Sequence, residues 1–408
     1  MLVAMAMSMW IPNTTATAVM TPIVLGVVDQ IQESAIVVCR HSALQPEVVS
    51  ITANEMDLSI RRDSLRGFPE EVVVGIKKVM LLAVAYATNI GGTGTMIGSG
   101  PNLILKGFLE RQFPEAQEFT FTSWMLYNVP PMLLCVLLGW LYIQSLLLKT
   151  DAATDERIHV SLHDEILRRY LDLGRLTFQE ATVLCIFIVL VMSWSITETI
   201  RVPGDIDIIT PKSVVGPSVP LLAAVILLFG IPKDPANLRE SPSILTWDDV
   251  TFRMRWGVVL LISAGVAIAN ASEHSGFSVL MIDNLKPLAH QHPVLLVTTL
   301  CLFASFFTEI TSNAAVASIM MPVILQMSID QNLHPLYLAM PVTIACSFSF
   351  MLPTATASNA IVFAVAKLRV HDMVRPGFVM NTICVLVELA TIHVLGPVIF
   401  DTNHVPQW

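Results

Sequence analysis

Apolar runs separated by short polar or charged stretches follow one another along the whole chain. Ala181–Ser195, Val219–Gly230 and Phe378–Phe400 are mostly apolar, and several runs approach the roughly 20 residues that a membrane-spanning helix needs. Hydrocarbon offers backbone groups no hydrogen-bond partner, so these runs predict helices, which satisfy their own backbone, rather than open strands. The segments between them alternate in basic content. Asp29–Lys78 holds six Lys and Arg, Lys106–Thr122 two, Lys149–Thr177 five, Ile200–Pro217 two and Ile231–Trp256 four. By the positive-inside rule, the rich segments are expected on the cytoplasmic side and the poor ones opposite. The pattern predicts an all-α, polytopic transmembrane protein forming a single domain over 1–408, with no Ser/Gly linker dividing it.

The pattern also repeats. Pro12-Asn13-Thr14 leads through small residues to Met20-Thr21-Pro22-Ile23-Val24-Leu25, and Ser312-Asn313-Ala314 leads likewise to Met320-Met321-Pro322-Val323-Ile324-Leu325. A second pair follows, Gly98–Leu105 against Ala355–Val362, with Asn102 and Asn359 in register. Paired polar interruptions in two halves are the sequence mark of a transporter built from repeats.

Composition sharpens this picture. Only 13% of residues are charged, against about 25% in an ordinary soluble domain. The net charge of −9 resides in the connecting segments and forms no basic stripe, so no nucleic-acid partner is expected. Six cysteines stand singly, without a CxxC pair, and read as small buried hydrophobes rather than disulfide or zinc residues. There is no HExxH, no Ser/His/Asp set, and the glycine run Gly91-Gly92-Thr93-Gly94 lacks the Lys of a phosphate-binding loop. The expectation is a protein that is not an enzyme and has no cofactor.

The chemistry lies in four polar interruptions: Ser8–Thr17, Asn89–Asn102, Thr308–Ser318 and Leu352–Asn359. Asn, Thr, Ser and Gly there break helices, which a membrane tolerates only where the freed backbone is buried or lines a cavity. Half-helix N-termini then aim free N–H groups at one spot, suited to a carboxylate or sulfate. Carbonyl, hydroxyl and amide oxygens beside them suit a hard cation such as sodium.

Four stretches carry a specific resemblance: Met9-Trp10-Ile11-Pro12-Asn13-Thr14, Tyr86–Asn102, Thr308-Glu309-Ile310-Thr311-Ser312-Asn313, and Phe350-Met351-Leu352-Pro353-Thr354-Ala355-Thr356. From Ser8 to the C-terminus the chain resembles the divalent anion/sodium symporters, the sodium-dicarboxylate, citrate and sulfate cotransporters of solute carrier family thirteen. The resemblance implies inverted repeats, two helical hairpins and broken helices in an elevator-type carrier that works as a homodimer, with the plasma membrane as its location. It implies a secondary transporter of di- and tricarboxylates such as succinate and citrate, driven by sodium. Substrate would meet Asn13, Thr14, Thr93, Ser312, Asn313, Ala314 and Thr356. Sodium would be held by Ser8, Asn13, Gly92 and Gly94 at one site and by Thr308, Thr311, Asn313 and Ala355 at another.

The same resemblance divides the chain. Residues 1–28 form a first hairpin remnant and following helix, and 29–78 a cytoplasmic connection. Residues 79–287 hold the repeat-one core helices with the second-repeat scaffold, and 288–408 the second hairpin and C-terminal helices. Family members place several helices before the first hairpin, so the expectation is a chain lacking them, with a non-transporting modulatory subunit as an alternative. Pro12 stands where the family has Ser, Ala314 where many relatives have Thr, and Ala357-Ser358 where Pro-Pro is common. These departures keep sodium-independent exchange or uniport open, and sulfate transport stays open because sulfate presents compact negative charge to the same donors. Glu309 is expected to hold the second hairpin by hydrogen bonds. Glu198, Glu388 and His393 read as polar contacts or helix-end residues, Asn270 as part of a glycosylation sequon, and Asp151–Arg175 as a solvated connector.

Overall fold

The computed structural model describes residues 1–44, 70–113, 119–148, 176–199, 218–235, 241–253, 271, 275 and 292–405. Asn270 and Asp151–Arg175 lie outside these residues. Among the described residues there are fourteen α-helices and no strand beyond one isolated bridge, Pro232 to Ser243.

The chain opens with α1 (Leu2–Ser8) and turns into α2 (Asn13–Leu44). It continues through α3 (Glu70–Gly91), α4 (Gly100–Gln112), α5 (Phe121–Leu148), α6 (Phe178–Thr199), α7 (Ser218–Gly230) and α8 (Trp247–Arg253). The C-terminal part holds α9 (Pro293–Phe307), α10 (Asn313–Asp330), α11 (Pro335–Ala345), α12 (Ala357–Ala366), α13 (Val370–Val394) and α14 (Gly396–Ile399). Among the described residues, four helices are long and apolar enough to cross a membrane: Val73–Gly91, Phe121–Leu146, Asn313–Asp330 and Val370–Val394. The expected connection over 29–78 thus contains the end of α2 and the start of α3. Charged residues such as Glu, Lys and Arg are good helix formers, so charge marks where a helix leaves hydrocarbon rather than where it ends.

Two helices sit at the centre. Every residue of α3 from Leu81 to Gly91 is buried, as are ten of the eleven residues of α11. Helix α3 packs against α1, α2, α5 and α12, and α11 against α4, α9, α10 and α13. In lipid, such packing relies on close approach rather than on expulsion of water. Accordingly, a Cβ at Gly91 would collide with the Met5 carbonyl, and one at Gly377 with the Phe350 carbonyl. The outer helices present apolar side chains outward, including Leu126, Leu137, Val189, Met192, Leu222 and Ile226. A surface so apolar is suited to lipid.

Four helix breaks lie against this centre, at 9–12, 92–99, 308–312 and 346–356. They coincide with the four polar interruptions of the sequence. Helices α2 and α10 begin at Asn13 and Asn313 and carry Pro22 and Pro322 at the same register. Helices α4 and α12 follow Ser99 and Thr356, whose backbones nearly superpose: φ −140°, ψ 150° and φ −137°, ψ 153°.

Candidate functional site

At the first hairpin, Ser8 ends α1 and Asn13 begins α2. The Ser8 hydroxyl lies 2.7 Å from Asn13 Oδ1 and 2.7 Å from the Thr88 carbonyl, either of which accepts its proton. The Asn13 side chain rests on Gly92, where a Cβ would stand 2.5 Å from Oδ1, so only glycine admits it. Thr17 donates to the Asn13 carbonyl at 2.9 Å and lies 2.9 Å from the Thr88 hydroxyl. The glycine loop is shaped from within and without. Asn102 Nδ2 donates to the Gly92 and Thr95 carbonyls at 3.0 and 2.9 Å. Thr93 donates to Ile90, Thr95 to Met9, and the Trp124 indole N–H to the Thr93 carbonyl at 3.1 Å.

The second hairpin repeats this arrangement. Thr308 Oγ1 lies 2.8 Å from Asn313 Oδ1 and 2.8 Å from the Cys346 carbonyl. Asn359 Nδ2 donates to the Ser349 and Leu352 carbonyls at 2.9 and 3.0 Å. Its acceptors are ten and seven residues back, the same separations that Asn102 spans. Ser312 caps α10 by accepting from Ala315 N, and Thr356 caps α12 by accepting from Asn359 N. Such caps satisfy amides that the first turn leaves without an intrahelical partner.

The two halves touch. Asn89 donates to Asn359 Oδ1 and the Ser349 carbonyl at 3.3 and 3.1 Å, and the Ser99 and Ser347 hydroxyls meet at 3.2 Å. A Cβ on Gly100 would lie 3.2 Å from that of Ala314, setting the N-termini of α4 and α10 side by side. Helix α12 packs on α2. The N-terminal ends of four helices thus belong to one hydrogen-bonded assembly. Their exposed N–H groups and aligned dipoles favour an anion there.

Each hairpin also gathers a hydroxyl, an amide and a carbonyl oxygen within hydrogen-bond spacing. One hydroxyl proton serves two acceptors, so an oxygen pair at 2.7 or 2.8 Å is always left without a proton between. Hard cations prefer such neutral oxygens. Among the described residues no group of three His, Cys, Asp or Glu is placed to hold a metal ion. None of the four interruptions contains Lys, Arg or His. Sodium therefore fits the donor set better than a transition metal does.

Of the residues singled out from sequence, Ser8, Asn13 and Gly92 are joined in the first cluster, and Thr308 and Asn313 in the second. Thr14, Thr311 and Ser312 are at the hairpin tips, Ser312 exposed and the other two half-buried. Ala314 is buried beside Gly100, Thr93 is buried in the glycine loop, and Ala355 and Thr356 lie in the turn into α12. Gly94 faces Met132 and Met9 instead of Asn13. Sequence reasoning placed Thr88 and Asn89 in a marked segment without giving either a role, and missed Ser347, Ser349 and the Cys346 carbonyl. The Ser347-Phe348-Ser349 alternation after a buried apolar helix was the available signal.

Support comes from two membrane-embedded carboxylates. Glu309 accepts from the amides of Phe350, Met351 and Leu352 at 2.7, 3.0 and 2.9 Å and from Asn381 Nδ2 at 2.9 Å. It clamps the break that leads into α12, in the role expected for it. Glu388, 2% exposed, accepts from the Tyr127 hydroxyl at 2.8 Å. Tyr127 is on α5 one helical turn beyond Trp124, which holds the Thr93 carbonyl. His393 lies near the C-terminal end of α13, 3.2 Å from the Tyr337 hydroxyl.

A family model described as the sodium:sulfate symporter transmembrane region matches residues 1–401. The chain is 32% identical over 441 residues to the Na(+)/citrate cotransporter of Rattus norvegicus, covering all of this chain and 76% of that protein. It is 32% identical over 451 residues to the Na(+)/dicarboxylate cotransporter 3 of Homo sapiens, covering 98% and 73%. It is 30% identical over 430 residues to the Drosophila melanogaster protein called I'm not dead yet, covering 100% and 71%.

Proposed function

We propose, from the premise that the chain belongs to the sodium:sulfate symporter family and is an integral, multi-pass membrane protein, that it is a secondary carrier of small di- and tricarboxylates, succinate and citrate among them, coupled to sodium. One observation carries the reading: the matched oxygen clusters of Ser8, Asn13 and Thr88 and of Thr308, Asn313 and Cys346, each at the start of a helix. Each cluster is the place for one sodium ion, with the backbone of Gly92 and Gly94 completing the first site and Thr311 and Ala355 the second. Between them the dianion meets amides and hydroxyls of Asn13, Thr14, Thr93, Ser312, Asn313 and Thr356, beside Ala314. A dianion needs no buried Arg here, because two cations and four helix ends supply positive potential. The relatives named for citrate and dicarboxylate cotransport support carboxylates over sulfate. The carrier works as a homodimer in the plasma membrane.

A specific observation favours a second reading. Pro12 occupies the place where Ser312 caps α10, and it offers no hydroxyl. Sodium-independent exchange at a weakened first site is the alternative.

The test is uptake of radiolabelled succinate and citrate into proteoliposomes, with and without an inward sodium gradient. Sodium-stimulated uptake of either, competed weakly by sulfate, supports the first reading. Uptake indifferent to sodium, accelerated by internal succinate, replaces it with exchange. Uptake of labelled sulfate with no carboxylate uptake refutes both.

A further inference from the structure

Glu388 is a buried acid inside the Val370–Val394 span, and the proposed transport cycle gives it no task. An ionisable side chain at that depth is expensive, and by default points to a function. Its setting differs from that of Glu309, the other buried acid among the described residues. Glu309 accepts from four N–H groups, which replace the hydration that a carboxylate loses on burial. Glu388 accepts at Oε1 from the Tyr127 hydroxyl, at 2.8 Å. Among the described residues Oε2 receives no hydrogen bond, and the side chain forms no ion pair. The narrow space that it borders, with Thr93, Ile344 and Phe348, leaves no room for a water molecule.

The packed neighbours bring no positive charge to it. Helix α13 lies against α5, α9, α11 and α14. The titratable groups facing Glu388 are Tyr127 and Cys135 of α5 and Cys301 of α9, with Cys384 one turn before it on α13. Helix α11 has only Tyr337, which meets His393, and α14 has none. His393 is exposed and stands five residues on, about 140° around the helix. A carboxylate opposed by one hydroxyl is poorly compensated for the water it has lost. The neutral acid keeps the Tyr127 bond at its carbonyl oxygen and carries a proton on Oε2.

The acid also stands close to the transport site. Glu388 and Thr93 border the same space, and Tyr127 follows Trp124, whose indole N–H holds the Thr93 carbonyl. A negative charge on Glu388 would repel a dianion held at the glycine loop, through an interior that screens charge far less than water does. A proton removes that repulsion. We propose that Glu388 is a proton-binding site that is filled while the carrier holds its dianion. Proton and dianion then strengthen each other's binding by equal factors. This coupling rests on the carboxylate reading above; the proton site itself does not.

The probe is the infrared carbonyl band of a protonated carboxyl group, recorded on the full chain in phosphatidylcholine proteoliposomes at neutral pH. The band should be lost in Glu388→Gln, a permanently neutral stand-in. In Tyr127→Phe it should persist and move to higher frequency, because the acid's carbonyl then has no donor; this variant serves where glutamine impairs folding. A native chain without the band would mean that Glu388 is ionised, and a band untouched by both variants would belong to another acid. Either result would overturn the proposal. Succinate affinity supplies the second measurement, taken from neutral to alkaline pH, where succinate stays a dianion. In the native chain it should weaken several-fold as Glu388 loses its proton, and in Glu388→Gln it should stay level. No decline in the native chain, or the same decline in both, would overturn the coupling. The band with its expected changes, in a protein that binds no succinate, would count against the carboxylate reading alone.

Discussion

Ser8 and Thr308 occupy the same place in two halves of one site, yet what surrounds them is built from different materials. In the second half a carboxylate, Glu309, gathers three consecutive backbone amides and an asparagine. In the first half the corresponding position is Met9, whose backbone carbonyl accepts from Thr95, and an indole N–H from α5 steadies the glycine loop. Helix α10 has a serine cap, whereas the residue before α2 is Pro12. Hydrogen bonds to a charged acceptor are roughly twice as strong as neutral ones. The same oxygen geometry can thus be held stiffly by charge or more loosely by neutral contacts. The second half is expected to be the rigid partner and the first the adjustable one.

That contrast can be broken most forcefully at Glu309. Replacing it with Ala leaves three amides and the Asn381 nitrogen unpaired, at a cost of at least about 3 kcal/mol. Uptake should vanish and the melting temperature in detergent should fall by several degrees, with Glu309→Gln intermediate. Native-like melting and uptake in both variants would sink the clamp. Next in size are Asn13→Ala and Asn313→Ala, each predicted to abolish uptake at nearly unchanged membrane abundance. Wild-type uptake in both, at equal surface expression, would remove the paired clusters from the site. The relay from α5 is weaker. Trp124→Phe gives up one hydrogen bond, about 1 kcal/mol, and should raise the sodium concentration for half-maximal uptake by a few-fold while sparing the melting temperature. No change in sodium dependence would leave Trp124 with a packing role only. The smallest expected effect is a gain. Pro12→Ser supplies a cap worth about 1 kcal/mol and should steepen sodium dependence, bringing the halves closer together. Unaltered sodium dependence would mean that the proline is not what distinguishes them.

Much of this was legible because polar residues inside apolar runs are conspicuous. Asn13 and Asn313, each nine residues before a Met-rich or Thr-Pro turn of helix, announced the two hairpins. The register of Asn102 with Asn359 announced the two broken helices. The partners of those residues were not legible. The carbonyls of Thr88 and Cys346 are backbone atoms, so no residue type marks them, and they reach the hairpins only through the packing of α3 and α11. Glu309 was visible as an acid in a membrane segment, but the amides that donate to it lie more than 40 residues ahead. The full length of α2 was not legible for another reason: charge in Asp29–Leu44 marks departure from the apolar run without ending the helix.

The hydroxyl shared between two acceptors in each hairpin has a further consequence for turnover. In the proposed carrier, an arriving sodium ion finds oxygens that already hold one another through the Ser8 or Thr308 proton. It must displace those bonds, so part of its binding free energy is offset by what it undoes. The unloaded clusters are consequently stable, and the ion's residence is shortened. A carrier benefits from both, since an ion must bind well enough to enter and weakly enough to leave. The hydroxyl proton acts as a placeholder that keeps the two empty clusters in shape between one cycle and the next.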